Sequence, residues 1–291
     1  MPLLLLPILC FAEEKFSESF YFKPAWYQTF EIDEVLFEFK SEHQDLIIFR
    51  NEDFGTVLAL DGIIQTTEKD EFIYHEMLVH VPMMAHPNPK NVLIIGGGDG
   101  GSLREVLRHE GVEKVTMIEI DRAVIDMCEK YLPKHSNGAF HHPKAHIVID
   151  DGAKFVRETN EMFDVIICDS TDPVGPGEVL FSTPFYQDCL SCLTENGLFV
   201  SQNGVPTIQA DELKESHEKL VSVFPTVHHF VAPIPTYVGG FMVFSLSGRG
   251  TTPKEPSRQL PIENLGYYTE EVHKASFALP PYISGGIKKP Q

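Results

Sequence analysis

Five glycines broken by one aspartate, Gly96-Gly97-Gly98-Asp99-Gly100-Gly101, follow the apolar stretch 91–95 and precede a helical pattern at 102–109. This satisfies G-x-G-x-x-G in the strand–loop–helix setting that gives the motif its meaning. So many glycines cost backbone entropy without return unless something approaches the loop closely. A βαβ unit with a ligand at its first turn is therefore expected. Glu119, at the end of the next strand, stands where an acid would hold a ribose diol. A dinucleotide is the obvious ligand, but Asp99 weighs against it. A pyrophosphate seated on the amides of that helix start would meet a carboxylate. A nucleoside carrying positive charge, as a sulfonium or an amine, suits the loop better.

The flanking sequence changes style on either side of residue 90. Alternating runs at 35–40, 46–50, 56–60 and 63–67 are separated by polar turns, with Asp61-Gly62 as a hairpin signal. They predict a small antiparallel meander. Thr67 with Asp70 resembles a helix start, so a helix is expected over 70–84. After residue 90, strands at 91–95, 114–120, 146–149, 164–168 and 198–202 alternate with helices, which implies a parallel sheet covered on both faces. Strands at 227–232 and 241–246 have no helix between them and should pair antiparallel at one edge. The expected divisions are an unassigned segment 1–30, a meander plus helix 31–89, a catalytic domain 90–248, and a Pro-rich tail 249–291 packing on that domain.

Charge narrows the partners. The 291 residues carry 42 Asp and Glu against 23 Lys and Arg, a formal charge of −19. Nucleic acid and anionic membranes need basic faces, so neither is expected as a partner; the field favours cations. Five cysteines, at 10, 128, 168, 189 and 192, are too sparse for a disulfide framework. Cys189-x-x-Cys192 lies in a helical pattern with no second pair, so buried thiols are expected rather than zinc or redox chemistry. The apolar run 2–12 is too short to span a bilayer and lacks the basic residues of a secretory signal, so a cytoplasmic location is expected.

Two further strand ends carry acids. Asp150-Asp151-Gly152 closes one strand; Asp151 suits either an adenine amino group or a helix N-cap, in equal measure. Another strand, 164–168, delivers Asp169-Ser170-Thr171-Asp172 before the loop Gly175-Pro176-Gly177. Acids at three strand ends point to a shared anionic pocket. No His/Cys ligand set accompanies them, so no metal is required.

Taken together, residues 70–77 (DEFIYHEM), GGGDGG, MIEID at 117–121, DSTDPVGP at 169–176, IPTYVGG at 234–240 and ASFALPPY at 275–282 resemble the spermidine synthases of the bacterial type. The resemblance runs from Gln44 to Leu246 and returns near the C-terminus. It implies an α/β fold with a Rossmann-like, methyltransferase-type doubly wound sheet and a small N-terminal antiparallel β domain. It also implies aminopropyl transfer from decarboxylated S-adenosylmethionine to putrescine, giving spermidine and methylthioadenosine. That donor would be a co-substrate, with no cofactor and no metal. Glu119 would hold the ribose and Asp151 with Gly152 the adenine, with Gln44 and Pro176 lining the nucleoside side. Asp99 would hold the aminopropyl ammonium. Asp169 would accept the proton, with Asp172, Tyr74, His75 and Tyr237 around the diamine. A homodimer or homotetramer is expected.

The segment before Gln44 matches poorly, and Thr171 stands where Ser is common. Three other readings compete: a putrescine N-methyltransferase using S-adenosylmethionine, an NAD-linked oxidoreductase, and a non-catalytic polyamine binder. Asp99 opposes the first two, since it would repel the methyl donor's carboxylate and a pyrophosphate. The pair Asp169 and Asp172 argues against the third.

Overall fold

The structure is a computed structural model that describes residues 14–18, 27–173, 175–250, 254–259 and 262–287. Strands β1 (Glu14–Glu18) and β2 (Gln28–Ile32) form an antiparallel hairpin, and β2 lies against the next sheet. That sheet is the expected meander, β3 (Glu34–Lys40), β4 (Asp45–Asn51), β5 (Gly55–Leu60) and β6 (Ile63–Thr67), paired in chain order. The buried face of β4 and β5 meets Phe30 through Phe49, Val57 and Ala59. Hairpin strand β1 lies in the stretch for which the sequence suggested no element.

Helix α1 (Glu71–Ala85) leads into a seven-stranded sheet. In chain order come β7 (Asn91–Gly96), α2 (Gly101–Leu107), β8 (Lys114–Glu119), α3 (Arg122–Tyr131), α4 (Pro133–Ser136), β9 (Ala145–Ile149), α5 (Gly152–Glu158) and β10 (Phe163–Asp169). A 3-10 segment, Gly175–Phe181, precedes α6 (Thr183–Cys192), β11 (Leu193–Gln202), α7 (Ala210–Val223), β12 (Thr226–Pro233) and β13 (Phe241–Gly248). The order across the sheet is β12-β13-β11-β10-β7-β8-β9. The five central and outer strands β11 to β9 are parallel, while β13 and β12 run antiparallel at the edge. This is the doubly wound arrangement expected.

Two cores explain why its central strands are almost wholly apolar. Val92, Ile94, Val165 and Ile167 point to one face, against α1 and α2. Their neighbours Leu93, Ile95, Ile166 and Cys168 point to the other, against residues of α5 and α6. A strand buried on both sides has no polar face to show. The chain winds outward from β7 in one direction and resumes at β10 in the other. Their carboxyl ends thus make the switch point at which such sheets bind ligands.

The tail is more structured than its proline content suggests. Helices α8 (Glu270–Ser276) and α9 (Pro281–Gly286) lie in it, and Thr269 caps the first through a bond from the N–H of Val272 at 3.1 Å. It explains why α1 is buried along nearly its whole length, from Tyr74 to Ala85. Glu76 of α1 accepts the backbone N–H groups of Gly266, Tyr267 and Tyr268 at 2.7, 2.8 and 2.7 Å. Tyr268 is buried in the same core as the helix. Truncation of Glu76 leaves three N–H groups without their acceptor, each worth about 1–3 kcal/mol where it stays buried. Glu76→Ala is therefore expected to cost about 3–5 kcal/mol and to open the 254–268 stretch to limited proteolysis. An unchanged denaturation midpoint and cleavage pattern would contradict this anchoring.

The cysteines behave as expected of packing residues. Cys128, Cys168, Cys189 and Cys192 are free and buried, the last two on α6; Cys10 lies outside the described residues. Among the described residues no helix is long and apolar enough to cross a membrane. No group of three or more His, Cys, Asp or Glu is placed among them to hold a metal.

Candidate active site

A cavity of about 310 Å³ opens at the switch point, between the N-terminal meander and the carboxyl ends of β7, β8 and β10. Asp99, Glu119, Asp151, Asp169 and Asp172 all line it, with Gln44, Tyr74, His75, Gly152 and Tyr237. Pro176 falls in the 3-10 segment, but its side chain lies outside the described residues, as does Val174.

Asp169 ends β10 directly opposite Gly96 in the strand register. The Gly97 N–H donates to the Asp169 carbonyl at 2.8 Å, closing the glycine loop onto that strand end. Gly96 has φ of +82°, and a Cβ there would run into the same carbonyl. Only glycine brings the loop this close. The Asp169 carboxylate accepts from the Tyr74 hydroxyl at 2.8 Å and from the Ser102 hydroxyl at 2.6 Å. Burial raises its pKa, with Asp99 adding to the effect and His75, Ser102 and Tyr74 opposing it.

Asp99 turns back into the start of α2, accepting from the Gly101 N–H at 2.7 Å. Its other oxygen lies 3.3 Å from His75 Nε2. Burial would raise its pKa, but the His75 charge outweighs that and holds the carboxyl below its ordinary range. His75 was expected to face a diamine. Its ring lines the cavity, yet Nδ1 meets Glu71 at 2.5 Å and Nε2 faces Asp99, so both nitrogens are engaged by acids. The ring thus reaches the cavity wall with its nitrogens turned to Glu71 and Asp99.

At the end of β8, Glu119 is buried and accepts the Asp121 N–H at 2.9 Å. Burial pushes its pKa up to about 7. Gln44 donates to Asp121 at 3.2 Å, and the Ser41 hydroxyl to the same oxygen at 2.6 Å. That contact draws the β3–β4 turn over the carboxyl end of β8 and the start of α3. Asp151 is indeed an N-cap, taking the N–H groups of Ala153 and Lys154 at 2.8 and 3.3 Å on Oδ1. It also lines the cavity, and the cap occupies only one of its two carboxylate oxygens.

Three residues not anticipated from sequence, Glu18, Gln202 and Gln209, complete the lining beside Asp172 and Tyr237. Glu18, at the end of β1, is 4% exposed; Oε1 accepts the Ile64 N–H at 2.8 Å, and Oε2 is buried without a hydrogen-bond partner among the described residues. Burial pushes its pKa up to about 7, and Asp172 adds to this. Gln209 donates to Asp172 at 3.1 Å, and Gln202 donates to the carbonyls of Ser170 and Thr171 at 3.3 Å each. Tyr237 donates to the Gln65 carbonyl at 2.7 Å and meets Tyr74 edge-on, ring centroids 6.0 Å apart. The result is a cavity lined by acids, by the rings of Tyr74 and Tyr237, and by a Glu18 carboxylate with one oxygen unbonded among the described residues. Such a lining suits a cation.

Comparison with known proteins gives concordant results. The family described as "Spermine/spermidine synthase domain" matches residues 71–254, and "Spermidine synthase tetramerisation domain" matches residues 16–68. A polyamine aminopropyltransferase of Pectobacterium carotovorum subsp. carotovorum is 51% identical over 92% of this chain and 99% of its own. Polyamine aminopropyltransferase 1 of Pseudomonas aeruginosa is 52% identical over 90% and 94%. Among solved structures, a spermidine synthase in complex with the transition state analogue AdoDATO superposes with a TM-score of 0.87 at 41% identity, each chain covered to 94%. The spermidine synthase of Thermotoga maritima gives 0.86, with the same identity and coverage.

Proposed function

Because this chain belongs to the spermine/spermidine synthase family, we propose that it carries the aminopropyl group of decarboxylated S-adenosylmethionine to putrescine, with Asp169 as the proton acceptor. The enzyme is an aminopropyltransferase, and the donor is consumed as a substrate. The observation that carries the finer reading is the juxtaposition at the switch point. Asp169 and the glycine loop bearing Asp99 meet in one strand register, within an acidic cavity.

A sulfonium needs no activation as an electrophile; the difficulty lies with the amine, which is protonated at neutral pH with a pKa of roughly 10. An ammonium has no lone pair, so the attacking nitrogen first gives up a proton and then places the freed pair on the methylene carbon next to sulfur. The C–N bond forms, the C–S bond breaks, and its electron pair stays on sulfur as a neutral thioether. The released proton passes to Asp169, whose raised pKa makes it a better base than an exposed aspartate. Tyr74 and Ser102 hold both carboxylate oxygens, and fixing the two substrates in line supplies much of the remaining acceleration. Asp99 would take the donor's ammonium. Glu119 would hold the ribose hydroxyls, and Asp151 with Gly152 the adenine, while Gln44 and Pro176 line that side. Asp172 and Glu18 would receive the far ammonium of the diamine, between the rings of Tyr74 and Tyr237. His75 serves the amine site through Asp99.

Asp99 also separates this reading from its rivals. S-adenosylmethionine keeps a carboxylate on its amino-acid arm, and NAD brings a pyrophosphate; each meets an anion there. Incubation with decarboxylated S-adenosylmethionine and putrescine is expected to yield methylthioadenosine and spermidine in equal amounts. Formation of S-adenosylhomocysteine from S-adenosylmethionine would replace the proposal with methyl transfer. In competition among putrescine, cadaverine, agmatine and spermidine, putrescine is expected to be used first. A strong preference for spermidine would overturn the product.

The N-terminal sheet supports assembly of like chains: it matches a domain described by tetramerisation, and its edge strand β3 exposes Val35 and Phe39. A cytoplasmic location, with its free thiols, belongs to the same proposal.

A further inference from the structure

Behind the cavity, four charged side chains stand in line. Asp99 lies 3.3 Å from His75 Nε2, and His75 Nδ1 lies 2.5 Å from Glu71. The two oxygens of Glu71 accept from the two terminal nitrogens of Arg104, each at 2.9 Å. Arg104 is held in turn by the carbonyls of Lys134 and His135, at 3.1 and 2.7 Å, and by Glu105 at 2.7 Å. All four side chains are largely buried, with exposures of 13%, 2%, 11% and 16% from Asp99 to Arg104. The ring of His75 occupies the space that a side chain at position 101 would need; a Cβ there would strike three of its atoms. Gly101 therefore makes the slot for the imidazole.

The geometry sets the charge. A neutral imidazole has one N–H and one lone pair, and that lone pair would face a carboxylate oxygen at one end or the other. Only the imidazolium donates to both. The series then alternates in sign from Arg104 to Asp99, with each charge paired on both sides except the last.

We propose that Arg104 and Glu71 are positioning residues for the transfer reaction, which hold His75 as a fixed imidazolium so that Asp99 remains an oriented anion beside Asp169. This rests on the reading of Asp99 and Asp169 given above. The need for it is electrostatic. Two carboxylates sharing a cleft tend to hold one proton between them, and a proton on Asp99 would remove the partner of the donor's ammonium. A fixed cation in direct contact with Asp99, and not with Asp169, breaks the tie, so the proton is left to Asp169. Pairs of acids driven apart in this way mark a division of roles.

The groups around His75 are consistent with one charge state. Glu71 on α1 is pulled up by burial, but the contacts with His75 and Arg104 bring it down to about 2. From α4, His135 packs edge-on at 6.2 Å; burial lowers its pKa, with Asp99 and Glu71 opposing. Tyr74 lies edge-on at 5.3 Å, with Asp169 beyond it. Burial would discharge His75, and Asp99 with Glu71 outweighs it, raising its pKa well above the ordinary value.

Labelled-histidine NMR on the substrate-free full chain tests this directly. The His75 ring, assigned by its absence from the spectrum of His75→Gln, is expected to stay in the imidazolium form from pH 6 to pH 8.5. In Glu71→Gln it should titrate within that window. In the same variant, kcat/KM for the donor relative to the parent should fall at least tenfold as pH rises from 6.5 to 8.5. Arg104→Met should lower kcat/KM for the donor by releasing Glu71, without bringing His75 into that window since it removes a cation. Arg104→Lys should recover most of the loss because it can still pair with Glu71. A His75 that is neutral in the parent at pH 7 overturns the proposal whatever the variants do. So does a Glu71→Gln protein with an unchanged imidazole titration and a pH-independent activity ratio. The failure of the parent to form methylthioadenosine would instead strike the functional reading, since the NMR titration uses no substrate.

Discussion

Asparagine at position 169 is expected to lower kcat by about 10²–10⁴-fold, the range for loss of a positioned general base. The KM for the donor should change only a few-fold. The substitution keeps the side chain's shape, and its carbonyl can still accept from one of the two hydroxyls, Tyr74 or Ser102, that now donate to the carboxylate. The other hydroxyl can turn to accept from the new amide. What is lost is the place for the amine's proton. The pH dependence follows from the raised pKa of Asp169: parent activity should climb as pH rises through that value, and the variant should lack this limb. Stability should move the opposite way to activity. A carboxyl whose folded pKa is raised favours the folded state below its unfolded value of about 3.9. That contribution is lost as pH rises through the folded pKa. At pH 7–8 the buried anion is thus a burden that asparagine removes, so the variant's Tm should equal or exceed the parent's. A variant with parental kcat and a superposable pH–rate curve would exclude Asp169 as the acceptor.

Glutamine at position 18 should act on the other substrate. Glu18→Gln is expected to raise the KM for putrescine by about 10–100-fold, as loss of a charge-assisted hydrogen bond implies, with little change in kcat. The residue reaches the cavity from β1, and its Oε2 is buried with no hydrogen-bond partner among the described residues. With a pKa of about 7, it is close to half ionised at neutral pH before any ligand arrives. An ammonium would draw the rest of the carboxyl into its anionic form. Diamine affinity should accordingly increase as pH rises toward 7 and level off above it, with partial proton release on binding near pH 7. The glutamine variant should lose both the pH dependence and the proton release. An unchanged KM for putrescine would remove Glu18 from the acceptor site.

Glu18 also shows where sequence reading stopped. Asp99, Glu119, Asp151, Asp169 and Asp172 were legible because parallel strands deliver their carboxyl ends to one edge, and an acid at a strand end is visible in a linear pattern. Glu18 comes from a two-stranded hairpin whose path to the cavity depends on how the N-terminal sheets pack, which no local periodicity encodes. Ser102 was equally hidden: it sits in the first turn of α2, and only the register of β7 against β10 brings it to Asp169. The ion pair of His75 was legible by another route: the spacing of Glu71 and His75 places them one turn apart on a helix. In the tail, Thr269 followed by two glutamates was an available helix start, obscured by the prolines around it.

The thiols have a practical consequence. Cys128, Cys168, Cys189 and Cys192 are all buried, and burial pushes Cys168 up to about 12 and the others upward as well. A thiol must ionise and meet its reagent before it can be alkylated, so labelling at these positions waits for the surrounding structure to open. Cys168 precedes Asp169 on β10, while Cys189 and Cys192 lie on α6 against the far face of the sheet. The rate at which each thiol is labelled therefore clocks a separate opening event. The chain contains its own reporters, set at chosen depths, for comparing how firmly the catalytic strand and its covering helix are held when substrates are added.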